Sequence, residues 1–255
     1  MEAWENAVRK FLVRWMDRDE VMGALVCGSY VTGEPTDRSD IDLHIILADS
    51  AKWRERGNKY VDGFLIEYFA NPPRQIRSYF AGDFAYRRTA SLVQFITGKI
   101  IFDSQGIVVQ LKDEAAAWKG KKYPAPDTHM AELTKYHLWD TYDNLLDCYE
   151  NQRLDFDFLY NHSLFQLFEG YCALLNIEKI PFDQISRYLS DPGYLRKYLK
   201  APFPDGDFSR MFLEALKVKG CDDRMRLYKS LFTHALKKSG EFEIDGWRLR
   251  TPVLE

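Results

Sequence analysis

The chain has 255 residues, of which 46% are hydrophobic and 15% aromatic, enough for one large core or two ordinary ones. Its formal net charge is −3, so no basic surplus favours DNA or RNA, and we expect no nucleic-acid partner. No signal-peptide pattern and no long apolar run occur, so we expect no membrane segment. Four scattered cysteines without metal-type spacing are typical of reduced thiols and predict a cytoplasmic protein.

Apolar periodicity and turn residues divide the first half of the chain into helices and strands. Residues 3–18 have helical spacing, and apolar runs predict strands at 23–27 and 40–47. Asp62-Gly63 is a strong hairpin signal and predicts a strand on each side of it. The other elements expected in this half are helices at 72–82, 86–97 and 106–118 and a strand that starts at residue 99.

The second half differs in character. A polar, basic, proline-containing segment at 119–127 predicts a linker. Beyond it we expect helices, at 128–150, 155–176, 183–190, 193–199, 207–218 and 222–238. The tail 242–255 is expected to add one short extended piece. The predicted domains are therefore 1–120, with helices and strands, and 125–255, which is helical.

Two carboxylates lie one residue apart at the start of the strand 40–47. Because side chains alternate between the faces of a strand, Asp40 and Asp42 share one face with His44, while the residues between them are apolar. Like charges so placed repel each other unless a cation lies between them. Oxygen ligands at this spacing suit Mg²⁺. The alternative is that both acids flank a loop and face water, and a packed, neutral state is the simpler interpretation of His44.

A Gly-Ser pair, Gly28 and Ser29, follows the first apolar strand directly. A glycine there lets backbone amides approach a phosphate, and the serine hydroxyl adds a donor. If a helical turn starts at Ser29, its free N–H groups favour an anion. Phosphate-binding groups beside a metal-binding pair are what phosphoryl transfer requires.

A third acid, Glu67, is the only ionisable group in the run FLIEYF. An unpaired carboxylate in a central, buried strand would cost several kcal/mol, so Glu67 needs a cation or a hydrogen-bond partner. A neighbouring strand that carries Asp40 and Asp42 around Mg²⁺ would supply one. The alternative is an edge strand with Glu67 in water.

The pattern G-S-x₃-G, then S-D-x-D-L, then an acid on a later strand resembles the DNA polymerase β-type nucleotidyltransferase superfamily. The matching residues are Gly28, Ser29, Gly33, Ser39, Asp40, Asp42 and Glu67. The order of the two domains resembles aminoglycoside and lincosamide adenylyltransferases and their uncharacterised relatives. This resemblance implies an α+β fold, in which a mixed sheet flanked by helices precedes an all-α bundle. One departure is Glu67, since many members have aspartate there.

The resemblance also implies a chemistry, in which two Mg²⁺ ions assist attack of a hydroxyl on the α-phosphate of ATP or another NTP. Asp40 and Asp42 would bind the bridging metal, and Glu67 would be either a ligand of the second metal or the general base. The nucleotide-binding residues would be Gly28, Ser29, Ser39 and Lys135. The expected acceptor is a small molecule with a hydroxyl group. The alternatives are a protein-modifying enzyme of the toxin-antitoxin type and a non-catalytic nucleotide-binding relative.

Features of the second domain are open to two interpretations. Lys135 either reaches a triphosphate, as a basic residue of the helical domain does in similar enzymes, or is a surface lysine. The helix 155–176 is rich in aromatic residues, which indicates a core or a homodimer interface. An acidic stripe on helix 128–150 either faces solvent or lines the acceptor cleft, and it comprises Asp140, Asp143, Asp147 and Glu150.

Overall fold

The computed structural model describes residues 2–251 and residue 253, and the chain divides into two compact units, Met1–Lys122 and Tyr123–Glu255. The first unit combines a five-stranded sheet with helices, and the second is built from helices in its described part. Each unit has its own hydrophobic core. The predicted α+β fold class is therefore confirmed.

The sheet of the first unit is mixed. Its strand order is β3-β4-β2-β1-β5, and of these neighbours β2 and β4 run parallel while the others run antiparallel. The elements of this unit, in chain order, are α1 (Ala3–Met16), β1 (Val21–Cys27), α2 (Ser29–Thr32), β2 (Ile41–Leu47), β3 (Glu55–Val61), β4 (Phe64–Asn71), α3 (Pro73–Ala85), α4 (Ala90–Thr97), β5 (Lys99–Asp103) and α5 (Ile107–Lys119).

Helices cover both faces of this sheet. The apolar stripe of α1, which includes Val8 and Leu12, packs on the face of β2 that carries Leu43. The opposite face carries Ile46 and is covered by α3, α4 and α5, whose buried residues include Phe95. Because β2 is buried on both faces, a charged side chain on it needs a specific reason to be there.

The turn between β3 and β4 fixes the register of the hairpin. Asp62 and Gly63 both have positive φ, 50° and 87°, as a two-residue type I′ turn requires. The turn pairs Val61 with Phe64, and the two strands run antiparallel from there. The hairpin prediction is confirmed. Since β3 and β2 flank β4, Glu67 is not on an edge strand.

In the first unit, two helix boundaries differ from the sequence predictions by more than two residues. The third helix runs through Gly82 and ends at Ala85, and the helix expected at 86–97 begins only at Ala90. The break lies at Arg87, whose φ of 54° is left-handed and ends a helix. A glycine inside a helix is tolerated at a cost of about 1 kcal/mol, so Gly82 was a weak stop signal.

The second unit packs its helices around a core rich in aromatic residues, including Tyr160, Phe208 and Tyr228. Its elements are α6 (Thr128–Glu150), α7 (Phe156–Leu174), a 3₁₀ turn (Phe182–Gln184), α8 (Ile185–Ser190), α9 (Pro192–Lys197), α10 (Gly206–Ala215) and α11 (Cys221–Lys238). Across the described residues of both units, every helix is too short or too polar to pass through a bilayer.

The extended piece predicted for the tail 242–255 is wrong over its described residues, where turns and irregular backbone are found instead. Side chains hold this segment in place. The ring of Trp247 stacks on Tyr136, with centroids 4.4 Å apart and planes 12° from parallel. In its described part the helical unit offers no strand edge with which the tail could pair. Residues 252, 254 and 255 lie outside the described part.

Asp205 joins three segments of the helical unit. Its Oδ1 accepts the amide of Phe208 at the start of α10, and its Oδ2 accepts the hydroxyl of Tyr171 and Nε2 of His234, each at 2.7 Å. Burial raises the pKa of Asp205, but the hydrogen bonds from Phe208, His234 and Tyr171 outweigh it and lower that pKa to about 2.

We predict that Asp205→Asn lowers the free energy of unfolding at neutral pH by about 1–3 kcal/mol, because buried donors lose their acceptor. A carboxyl with a depressed pKa stabilises the fold above its unfolded-state value of about 3.9 and stops doing so as the pH falls toward about 2. The difference between variant and wild type should therefore shrink below pH ~4 in urea unfolding monitored by fluorescence.

The matched control is Asp207→Asn, an exposed carboxylate on the same helix that pairs with Arg210 at the surface. It should change stability by less than about 0.5 kcal/mol. Equal losses in the two variants, or a loss in Asp205→Asn that persists undiminished at pH ~3, would contradict this account.

Candidate active site

The pairing of β2 with β4 brings the predicted carboxylates together. Asp42 lies opposite Cys27 on β1 and opposite Glu67 on β4. Neighbouring strands are roughly 5 Å apart, so the Asp42 and Glu67 side chains project side by side from one face of the sheet. Asp40 precedes Asp42 by two residues and shares that face. One carboxylate oxygen from each of Asp40, Asp42 and Glu67 lies within 4.8 Å of the other two.

This cluster is electrostatically unfavourable without a cation. Burial, and then the negative charges of Asp40 and Glu67, raise the pKa of Asp42 to about 6. All three side chains are partly exposed, so an ion and a phosphate could reach them. Oxygen ligands of this number and charge fit Mg²⁺, which binds one or two protein carboxylates and completes its shell with water and phosphate oxygens.

Gly28 provides the space that the Asp42 carboxylate occupies. A β-carbon at position 28 would lie 2.4 Å from Oδ2 of Asp42, and the φ of +80° at this residue strongly disfavours any other amino acid. The short helix α2 follows at once, and its first main-chain hydrogen bonds run from the amides of Val31 and Thr32 to the Gly28 carbonyl. Ser29 is the first residue of α2. A phosphate contact by Gly28 or Ser29 stays a prediction.

Ser39 shapes the loop that leads into Asp40. Its hydroxyl accepts the amide of Thr36 at 2.9 Å, and its own amide donates to the Thr36 carbonyl at 3.0 Å. These bonds fix the approach of the chain to Asp40. A nucleotide contact by Ser39 stays a prediction.

Lys135 belongs to the helical unit and is 8% exposed. Its Nζ donates to Oε1 of Glu132 at 2.9 Å and to the carbonyl of Gly240 at 3.3 Å, so the ammonium joins α6 to the backbone just after α11. The surface-lysine interpretation is wrong, because this lysine is buried. A contact with triphosphate stays a prediction.

The acidic stripe on α6 is mostly solvated. Asp143, Asp147 and Glu150 are exposed, and Asp140 is half-buried. Exposed carboxylates on a helix need no further partner, which agrees with the solvated-face interpretation. A role in binding the acceptor stays a prediction.

The sequence analysis missed Arg56, which contacts the cluster. Its Nε and Nη2 donate to Oε1 of Glu67 at 3.1 and 2.5 Å, and its guanidinium carbon lies 5.0 Å from the centroid of the Phe69 ring. The sequence held the information needed to predict this contact. Counting residues outward from the Asp62-Gly63 turn places Arg56 opposite Phe69 and diagonal to Glu67.

His44 is packed and neutral, as predicted. Its Nε2 lies 3.3 Å from Oε1 of Gln94, and its ring stacks on Phe69. Burial lowers the pKa of His44 to about 4, although the contact with Gln94 raises it.

Arg77, on α3, pairs with Glu114 on α5 and so joins two helices of this unit.

Comparison with known proteins finds a match among solved structures. No family model matches the chain, and no curated protein matches it. Among solved structures, a nucleotidyltransferase-like protein from Exiguobacterium sibiricum 255-15 aligns with a TM-score of 0.48 and 15% identity. The alignment covers 93% of this chain and 77% of that one. The account of the site therefore depends on its own geometry.

We predict that Asp42→Asn stabilises the metal-free protein at pH ~8. The raised pKa means that the folded state gains a proton more readily than the unfolded state, so stability falls as the pH rises from about 4 through about 6. Replacing the carboxylate by an amide should raise the free energy of unfolding by about 1–2 kcal/mol at pH ~8. It should change that free energy little at pH ~4. The measurement is urea unfolding in EDTA at the two pH values. If Asp42→Asn were less stable than wild type at pH ~8, repulsion among the three carboxylates would not be the dominant effect.

Gly28→Ala and Gly33→Ala form a matched pair. Both positions have positive φ, 80° and 90°, so each alanine should cost about 1 kcal/mol or more of stability. Only the β-carbon at position 28 meets a carboxylate, since nothing lies within 4 Å of one at position 33. Mn²⁺ binding, measured by calorimetry, should be lost or severely weakened in Gly28→Ala alone. Equal Mn²⁺ affinity in the two variants would show that Gly28 does not shape the site.

Proposed function

We propose that this chain is a Mg²⁺-dependent nucleotidyltransferase, which moves a nucleoside monophosphate from an NTP to a hydroxyl of a small molecule, with AMP from ATP as the favoured transfer. The observation that carries the proposal is the convergence of Asp40, Asp42 and Glu67 on one sheet face, within 4.8 Å of one another. Phosphoryl transfer depends mainly on positioning and charge stabilisation, which such a cluster provides through divalent cations.

Each residue of the cluster has a role in this proposal. Asp40 and Asp42 would hold the cation that bridges the phosphates, and Glu67 would complete the second site or take the proton of the acceptor hydroxyl. The bound Mg²⁺ would neutralise charge that develops on the transferring group. The acceptor oxygen forms a bond to the α-phosphorus, the bond to the β-phosphate oxygen breaks, and pyrophosphate leaves.

Space for a small molecule lies beside the loop that leads into Asp40. A cavity of about 510 Å³ lies next to the loop that carries Ser39, and Tyr30, Tyr60 and Phe64 are among the residues that line it. This volume is within the usual range for small-molecule sites. Aromatic walls of this kind suit a planar or partly apolar group, and Ser39 is adjacent to Asp40 in the chain. The large helical unit argues against the minimal protein-modifying type of enzyme, so we favour a small molecule over a protein acceptor.

The direct test is incubation with α-³²P-labelled NTPs and Mg²⁺, with and without aminoglycosides, lincosamides and a cell extract. Label on a small molecule supports the proposal, and release of labelled pyrophosphate from γ-labelled NTP should accompany it. Label on a protein would favour a protein-modifying enzyme instead. Tight nucleotide binding without any transfer would indicate a non-catalytic relative.

We predict that Asp40→Asn and Asp42→Asn each lower transfer by about 100-fold or more, the size of effect expected when a group that stabilises the transition state is removed. The control is Asp19→Asn, an exposed acid in the turn before β1, at the strand end away from the cluster. It should leave transfer unchanged. Transfer that survives in both cluster variants would refute the assignment of these residues.

A further inference from the structure

Among the described residues, Arg56 forms an ion pair with Glu67, one of the three acids of the carboxylate cluster. The pair with Glu67 uses two guanidinium nitrogens and a single carboxylate oxygen, Oε1, so Oε2 takes no part in it. The Arg56 side chain is 69% exposed, whereas that of Glu67 is 17% exposed. One partner is therefore held by the sheet, and the other can move into solvent.

The charges of the cluster explain why a guanidinium lies beside it. Three ionised carboxylates and one guanidinium carry a net charge of −2, which one divalent cation would cancel. The Arg56 guanidinium lies 5.0 Å from the centroid of the Phe69 ring, close enough to offset part of the repulsion among the acids. Because the ion pair is exposed on the arginine side, it contributes only a modest interaction energy. A divalent cation at the same carboxylates would interact with them more strongly, because it carries twice the charge and binds oxygen directly.

We propose that Arg56 is a displaceable counterion of the cluster, which pairs with Glu67 in the metal-free protein and competes with the divalent cation for that carboxylate. The inference rests on the proposed function, since it assumes the metal site. Arg56 thereby holds the Glu67 carboxylate through two hydrogen bonds before metal and nucleotide arrive. It also lowers the affinity for a metal ion that binds alone.

Strand β3 supplies a matched control. Lys59 is also exposed, lies three residues after Arg56, and pairs across the hairpin with Ile66, so it projects from the opposite face. Removing either side chain changes the net charge of the protein equally. Only Arg56→Gln removes a charge that contacts the cluster.

The experiment is a Mn²⁺ titration of the full chain at low ionic strength, followed by calorimetry or by the electron paramagnetic resonance signal of free Mn²⁺. We expect Arg56→Gln to bind Mn²⁺ about twofold to fivefold more tightly than wild type, the range that exposed ion-pair energies imply. Lys59→Gln should bind as wild type does. Affinity in Arg56→Gln that equals or falls below that of wild type would overturn the proposal.

A second measurement guards against a folding defect. In EDTA, Arg56→Gln should unfold at lower urea concentration than wild type, because its carboxylates lack their counterion. Saturating Mn²⁺ should raise its midpoint by more than it raises that of wild type, as linkage requires for a tighter ligand. An equal or smaller rise would also overturn the proposal.

The two claims fail in different ways. Wild type that binds no Mn²⁺ at all would remove the metal site, and both the proposed function and this inference would fall. Wild type that binds Mn²⁺ with the same affinity as Arg56→Gln would remove the role of Arg56 and leave the proposed function intact.

Discussion

Parallel pairing of β2 with β4 places Asp42 directly beside Glu67, and this forced proximity of like charges is the constraint on which the site depends. A sheet cannot separate two side chains that share a register position and a face. Asp40 adds a third negative charge two residues away. The cost of placing these charges together is reflected in the pKa of Asp42. Burial and both neighbouring acids raise that pKa to about 6. Such repulsion is retained in a fold when it serves to bind a cation.

The surrounding structure supports this arrangement at several points. Gly28 leaves the volume that the Asp42 carboxylate fills, and Arg56 partly neutralises Glu67. On the same face, neutral His44 and the helices α3, α4 and α5 bury the rest of β2, so polar groups are confined to its amino-terminal end. Local rules of sequence design are broken at this end of the sheet, which is typical of a functional site supported by a well-packed core.

Much of this could be predicted from the sequence because its signals are local. The Asp62-Gly63 turn and the alternation around Asp40 and Asp42 depend on a few neighbouring residues. The lone charge of Glu67 among strand formers correctly predicted a central strand, and a metal ion beside it stays a prediction. The pairing of Arg56 with Glu67 was missed, since Arg56 meets Glu67 only through the hairpin register.

Other features depend on tertiary contacts that no local pattern encodes. Lys135 is buried where its Nζ meets the carbonyl of Gly240, 105 residues away in the chain, although the i, i+3 spacing of Glu132 hinted at the ion pair. The tail was expected to add a short extended piece, but its described part is irregular and is held by the stacking of Trp247 on Tyr136. Strand formation requires a partner edge, and its absence in the described helical unit could not be read from the tail itself.

The central claim is that the three carboxylates bind divalent cations together with a nucleoside triphosphate. Its most direct test is a crystal structure with Mn²⁺ and a non-hydrolysable ATP analogue, with anomalous diffraction used to locate the metal. The account predicts an anomalous peak about 2.1 Å from carboxylate oxygens of Asp40 and Asp42 and in contact with phosphate oxygens. An ordered nucleotide with no metal peak at this cluster, or with its phosphates bound elsewhere, would contradict it.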